Sequence, residues 1–171
     1  MKKARINILG IEIDPLTMQE TVNSVERYVL EKKALHLMGV NADKINQCHD
    51  DEEIRKIVNE SGIINADGAS VVLASKFLGS PIPERVAGID LMQELLHLAN
   101  EKGYSVYLFG AKEEVLTDML AIFKKDYPNL QVVGRRDVIF LLKRKKLFKK
   151  IFEKKIQILS LSALLLLKRS T

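Results

Sequence analysis

The chain has 171 residues, 47% of them hydrophobic, enough to bury one core and a better fit to one domain than to two. Aromatic residues make up only 6% and tryptophan is absent, which argues against a face of exposed rings stacking on bases or sugars and leaves ligands to loops and backbone. The net charge of +5 hides two unlike parts: residues 135–171 hold 12 Lys/Arg against Asp137 and Glu153 alone, so residues 1–134 hold 15 against 20. The tail therefore follows a different composition from the body.

The single cysteine, Cys48, has no disulfide partner and no neighbouring Cys or His at zinc-ligand spacing, which points to a reducing compartment. After Met1-Lys2-Lys3 the apolar stretch is broken at Asn7, Gly10, Glu12 and Asp14. A secretory signal peptide is not expected, and the cytoplasm is the expected location.

Along the chain, strands are predicted at 5–9, 35–40, 62–66, 105–110 and 130–134. They alternate with amphipathic segments, the pattern of an α/β fold with a Rossmann-like parallel sheet and flanking helices. The helix between the first two strands is signalled by Thr17 and Glu20 at capping-box spacing and by Met18, Val22, Val25, Val29 and Leu30 on a shared face. A second helix, 51–60, opens on Asp50-Asp51-Glu52-Glu53, whose charges suit a helix N-terminus. Consecutive helical positions point in different directions, so no metal site is expected from that run. Helices are also predicted at 69–79, at 88–101 with Gly103 as C-cap, and at 112–125. Between 79 and 88 two prolines preclude regular helix, which leaves a constrained loop able to present Arg85.

In a parallel α/β sheet, ligands bind at the carboxyl ends of the strands. The segments to inspect are therefore Asn41-Ala42-Asp43-Lys44, Asp67-Gly68-Ala69-Ser70, Gly110-Ala111-Lys112 and the loop carrying Arg85. Each has a structural alternative. Asp67 is a preferred N-cap type for the next helix, Asn41 can cap or turn, and an arginine such as Arg85 is commonly a solvated surface residue. The Gly110 turn offers backbone amides to a phosphate but lacks a full dinucleotide fingerprint. Arg85, fixed between Pro83 and Gly88, suits a diphosphate. Among the histidines, His97 lies among Leu95, Leu96 and Leu98 and is expected packed or half exposed, His36 begins a strand, and His49 precedes the acidic helix start. No Ser/His/Asp or Cys/His arrangement follows from their spacing.

Taken in order, Ile8-Leu9-Gly10-Ile11-Glu12-Ile13-Asp14, Val40-Asn41-Ala42-Asp43, Asn65-Ala66-Asp67-Gly68, Pro83-Glu84-Arg85-Val86-Ala87-Gly88-Ile89-Asp90-Leu91-Met92 and Leu108-Phe109-Gly110-Ala111-Lys112 resemble the WecG/TagA/CpsF glycosyltransferases, also called glycosyltransferase family 26. The likeness covers about residues 5–137. It implies transfer of a hexose, typically N-acetylmannosamine or a relative, from a UDP donor to a polyprenyl-diphosphate-linked sugar at the inner membrane face. The products are teichoic-acid linkage units, enterobacterial common antigen, or capsular and related exopolysaccharides. It further implies inversion at the anomeric centre, no essential metal or other cofactor, and peripheral membrane contact in full-length members; homo-oligomer formation is left open. By the same resemblance Asp67 matches the proposed base and Arg85 an arginine implicated in activity. Asn41, Asp43, Asn65, Gly68, Gly88, Asp90, Gly110, Ala111 and Lys112 fall among substrate-binding positions. Where many members carry threonine in a Thr-Pro-Asn-Ala-Glu-like stretch, this chain has Gly39-Val40-Asn41-Ala42-Asp43, which leans toward the capsule-type branch.

Members resembling this chain continue past its length with a further α/β portion, a Pro-Lys-Gln-Glu or Pro-Lys-Lys-Glu motif and a basic C-terminus. Residues 138–171 show none of these in recognisable form, so the fold is expected to be incomplete at the C-terminus. One account of the tail is a basic amphipathic segment followed by the apolar run Leu159–Leu167, lying on an anionic membrane and too short to span it. Another is a frameshift after about residue 137: with permitted codons and a one-base shift, Leu141–Phe152 becomes an acidic helix start and Ile158–Thr171 a short apolar strand followed by Ser-Pro-Lys-Lys-Glu. On that account the polypeptide is expected to be weak or inactive, and the nucleotide sequence of the gene decides the matter. Two other functions stay open: a non-catalytic nucleotide-binding α/β module using the Gly110 turn, and a surface binder acting through the basic tail. Nucleic acid is not the expected partner.

Overall fold

The computed structural model describes residues 3–110, 112–136, 158–160 and 163–169. Its elements are β1 (Ile6–Ile8), β2 (Ile11–Ile13), α1 (Met18–Leu30), β3 (His36–Val40), α2 (Ala42–Asp50), α3 (Glu52–Asn59), β4 (Ile63–Ala66), α4 (Ala69–Phe77), α5 (Gly88–Lys102), β5 (Tyr104–Gly110), α6 (Glu113–Asp126), β6 (Gln131–Arg136), β7 (Ile158–Ser160) and β8 (Ala163–Arg169). The fold is α/β, with short Rossmann-like parallel strand pairs flanked by helices. Two compact units divide it, Met1–Val25 with His36–Leu91 and Glu26–Leu35 with Met92–Thr171.

In the first unit, the stretch predicted as one strand at 5–9 is instead the first arm of a hairpin. β1 and β2 pair antiparallel, Ile6 opposite Ile13 and Ile8 opposite Ile11. The chain reverses at Leu9 and Gly10, both at positive φ (50° and 87°), the two-residue turn whose twist matches that of the flanking strands. β3 and β4 lie parallel, from Leu37 opposite Ile63 to Val40 opposite Ala66. All four residues of β4 are buried, as a parallel strand covered on both faces requires. Ile8, Ile11, Ile13, Val40, Cys48, Ile64, Ala66 and Ile82 form the core of this unit, each large aliphatic contributing roughly 1.5–3 kcal/mol by leaving water. Burial also pushes the Cys48 thiol up from its ordinary value, keeping it protonated.

The sheet is anchored at its opening end by an ion pair between half-buried Arg5 and buried Asp14. Arg5 Nε donates to Asp14 Oδ1 at 3.1 Å, while its other nitrogens donate to the carbonyls of Asn59, Ser61 and Gly62 at 2.7–3.0 Å. The second oxygen of Asp14 accepts from the Ile64 backbone at 2.8 Å, and Asp14 N–H donates to the Ile64 carbonyl at 2.8 Å. Hairpin and β4 are thus joined through one saturated carboxylate that is only 3% exposed.

The helices follow local signals closely. Thr17 and Glu20 form the expected capping box: Thr17 Oγ1 accepts from Glu20 N–H at 3.2 Å, and Glu20 Oε2 accepts from Thr17 N–H at 2.9 Å. Val22, Val25 and Val29 are buried as expected, whereas Leu30 is 48% exposed. Asp51 caps α3 by accepting from Glu53 and Ile54 N–H. The predicted helix 69–79 ends at Phe77, where Gly79 at φ +73° lets Ser80 N–H reach the Ser75 carbonyl and Gly79 N–H the Lys76 carbonyl.

In the second unit, β5 pairs parallel with β6, with a register shift between Val106 and Tyr107, and β8 lies antiparallel on the other side of β5. Gly134 is required here by space: a methyl built on it would stand 2.5 Å from the Tyr107 ring. Gly103, at φ +66°, follows α5 as the expected C-cap. The apolar run Leu159–Leu167 contributes to β7 and β8. The basic segment at 141–157, for which the sequence suggests a membrane surface or a shifted frame, lies outside the described residues.

Candidate active site

At the carboxyl end of the β3–β4 pair the chain leaves the sheet twice, at Asn41 and at Asp67. The two exits are drawn together by a shared acceptor: Asp67 and Gly68 N–H both donate to the Val40 carbonyl, at 2.9 and 3.2 Å. Gly68 permits this approach. A methyl on it would lie 3.1 Å from both Cα and Cβ of Asn41, and displacing backbone is costly.

Asp67 does not cap the helix that follows it in sequence. The N-cap of α4 is Gly68, with no side-chain bond. The Asp67 carboxylate turns instead to α5, where Oδ1 accepts from Gly88 N–H at 3.2 Å. A carboxylate at the positive end of a helix is favourably placed for its charge. Its side chain is 33% exposed, and among the described residues Oδ2 accepts no hydrogen bond.

The proline loop delivers Arg85 to the same place. Ile82 N–H donates to the buried Ser75 hydroxyl at 2.9 Å, Val86 N–H to the Ala66 carbonyl at 2.9 Å, and Glu84 accepts from Met18 N–H at 3.0 Å. Between these fixings Arg85 Nε donates to the Asp67 carbonyl at 2.6 Å, and a terminal nitrogen stands 4.0 Å from Asp67 Oδ1. Half of the guanidinium side chain faces solvent, at 52% exposure, with N–H donors to spare.

Other sequence candidates distribute unevenly. Asn41 caps α2, accepting from Lys44 N–H at 2.9 Å, and is exposed, so its amide nitrogen remains open to a ligand. Asp43 and Asp90 are exposed in the first turns of α2 and α5. Asn65 is buried at 3% exposure, its side-chain oxygen 3.3 Å from the Thr21 hydroxyl, so in this structure it faces the interior rather than a ligand. Gly110 ends β5 and exposed Lys112 precedes α6 in the second unit, while Ala111 lies outside the described residues.

His97 is exposed and meets the Tyr127 ring edge-on at 4.9 Å. His36 Nδ1 lies 3.0 Å from the Ser61 hydroxyl, and burial pushes its pKa down. A cavity of about 390 Å³ in the second unit, lined by Leu120, Phe123, Tyr127, Leu130, Val132 and Arg135 among others, contains no carboxylate or histidine that could act as a base. Helix α2 and the role of Glu84 do not follow from the sequence reading. The Asn41 cap is a usable signal for the helix, and Glu84 has none.

A model of the glycosyl transferase WecG/TagA/CpsF family matches residues 6–163, continuing beyond residue 137. Among curated relatives, the N-acetylglucosaminyldiphosphoundecaprenol N-acetyl-beta-D-mannosaminyltransferases of Staphylococcus aureus strains NCTC 8325 / PS 47 and COL are each 31% identical over 153 residues, covering 85% of this chain and 60% of theirs. The corresponding protein of strain MRSA252 is 30% identical over the same span. The chain thus spans about 60% of the length of the curated relatives it matches.

Proposed function

The chain belongs to the WecG/TagA/CpsF glycosyltransferase family, and from that premise we propose that it is an inverting hexosyltransferase. It moves N-acetylmannosamine or a related hexose from a UDP donor to a hydroxyl of a polyprenyl-diphosphate-linked sugar, in teichoic-acid, capsule or exopolysaccharide synthesis. The observation that carries this reading is Asp67, a strand-end carboxylate pinned through one oxygen and open at the other.

In the proposed reaction the acceptor hydroxyl gives its proton to Asp67 as its oxygen attacks the anomeric carbon. The bond from that carbon to the diphosphate oxygen breaks, and its electron pair leaves with UDP. Inversion follows because attack and departure occur on opposite faces. The growing negative charge on the leaving diphosphate calls for fixed donors. The spare N–H groups of Arg85 and the first backbone amides of α4 are assigned to it. In this scheme no metal is required. The lipid of the acceptor places the work at the inner face of the plasma membrane, with peripheral contact. Among the described residues no helix is long and apolar enough to cross a membrane.

Asp67→Asn keeps the hydrogen bond from Gly88 and removes the base. Transfer from UDP-N-acetylmannosamine to a short-chain polyprenyl-diphosphate N-acetylglucosamine is expected to fall about 10²–10⁴-fold in kcat, and to be unchanged by a chelator. Transfer at the original rate in the Asn variant removes Asp67 as the base and favours a nucleotide-binding module without catalysis.

A further inference from the structure

We infer that the first turn of α1 holds the Glu84 carboxylate away from Arg85 and so keeps that guanidinium open to an anionic ligand; this rests on the assignment of Arg85 to the leaving diphosphate above. The two residues are chain neighbours of opposite charge, about 3.8 Å apart at Cα, and left alone their side chains can pair. Among the described residues no ion pair joins them. Glu84 Oε2 instead accepts from Met18 N–H at 3.0 Å, across a separation of 66 residues.

Met18 N–H is available because of how α1 begins. Thr17 and Glu20 satisfy each other's N–H groups in the capping box, which leaves the Met18 donor without a partner inside the helix. A carboxylate from another element fills that place, at the positive end of the helix, where its charge is favourably met. Lys3, the cation at the start of α1, is committed to Glu20 at 2.6 and 2.8 Å, so the backbone of α1 is the partner that Glu84 has.

The loop on either side is fixed. Ile82 N–H is bound to the Ser75 hydroxyl and Val86 N–H to the Ala66 carbonyl, both at 2.9 Å. Between them Arg85 spends Nε on the Asp67 carbonyl, and its terminal nitrogens keep donors to spare. A carboxylate seated on those donors would occupy the fork that an incoming diphosphate needs. Glu84 is thus a positioning residue: it touches no substrate and acts through where its charge is held.

Three variants of the full chain separate this role from simple anchoring. Glu84→Gln keeps an acceptor for Met18 and brings no charge, and Glu84→Ala removes both. Glu84→Asp keeps the charge but is one methylene, about 1.5 Å, too short to reach Met18 from a loop fixed at Ile82 and Val86. The readouts are phenylglyoxal modification of Arg85, followed by peptide mass spectrometry against exposed Arg27, and the Kd for UDP by titration calorimetry. Glu84→Gln is expected to stay within about twofold of the original chain in both, and Glu84→Ala within about threefold. Glu84→Asp should bind UDP about three- to fivefold more weakly than Glu84→Ala, the worth of an exposed ion pair, and Arg85 modification should slow by a similar factor. That excess should shrink in about 0.5 M NaCl, which screens such a pair. A Glu84→Ala variant as weak as Glu84→Asp, or weaker, shows an ordinary structural tie and overturns the inference, as does unaltered Arg85 modification in Glu84→Asp. If Arg85→Met leaves UDP affinity unchanged, or the original chain does not bind UDP, the diphosphate assignment falls, and the order of Arg85 modification among the three variants still decides where the Glu84 charge goes.

Discussion

The two ends of the β3–β4 pair hold similar charges and put them to opposite uses. At the opening end Arg5 donates to Asp14 and to three backbone carbonyls, and both oxygens of Asp14 are occupied. At the carboxyl end Arg85 makes one strong bond to a backbone carbonyl and leaves half its side chain in solvent, while Asp67 keeps an oxygen unoccupied. A saturated pair can only hold parts together. A carboxylate left one bond short, on rigid supports, can accept a hydrogen bond from a ligand.

The comparison predicts separable phenotypes. The largest effect is the loss of transfer in Asp67→Asn, which should leave unfolding free energy within about 0.5 kcal/mol of the original, as at surface positions. Next, Arg5→Met leaves Asp14 buried without a counter-charge and should cost about 3–5 kcal/mol in denaturant unfolding. Arg85→Met should instead cost no more than about 1 kcal/mol of stability, because a mostly exposed pair contributes little, while sharply lowering transfer. Equal stability losses for the two arginines would break the comparison.

The smallest effect concerns His36, at the same end of the sheet as Arg5. Burial holds its imidazole below the ordinary 6.5, so the unfolded chain binds a proton that the folded chain resists. Its contribution is complete above that value and is lost as pH falls through the folded-state pKa. Thermal melts between pH 7.5 and 5 should show a steeper decline for the original chain than for His36→Asn. Parallel declines would show that carboxylates elsewhere account for the acid sensitivity.

Features that depend on neighbours along the chain are legible in the amino-acid sequence. The capping box at Thr17 and Glu20, the Gly103 cap and the alternation of strands and helices need only short-range patterns. Helix α2 is hidden because Ala42–Asp50 buries only Ile45 and Cys48, too few positions to establish a period. The hairpin is hidden because two three-residue strands around Leu9-Gly10 read as one broken strand. At the site, Asp67 and Arg85 stand out as residues following an apolar run and fixed among prolines. That Asp67 caps α5 rather than α4, and that Asn65 turns inward beside Thr21, depends on partners 21 and 44 residues away. Such pairings exist only once the chain is folded.

The loop around Arg85 is irregular by dihedral angle yet tied to α4 through Ser75, to β4 through Ala66 and to α1 through Met18. Mechanically it is a bracket, not a flap. With three such ties, the direction of Arg85 is set by the folded chain around it. The bracket also makes Arg85 sensitive at a distance: loosening Ser75 or Glu84, neither of which bonds to Asp67 or Arg85, would blur the aim of the guanidinium while leaving every residue of the site in place.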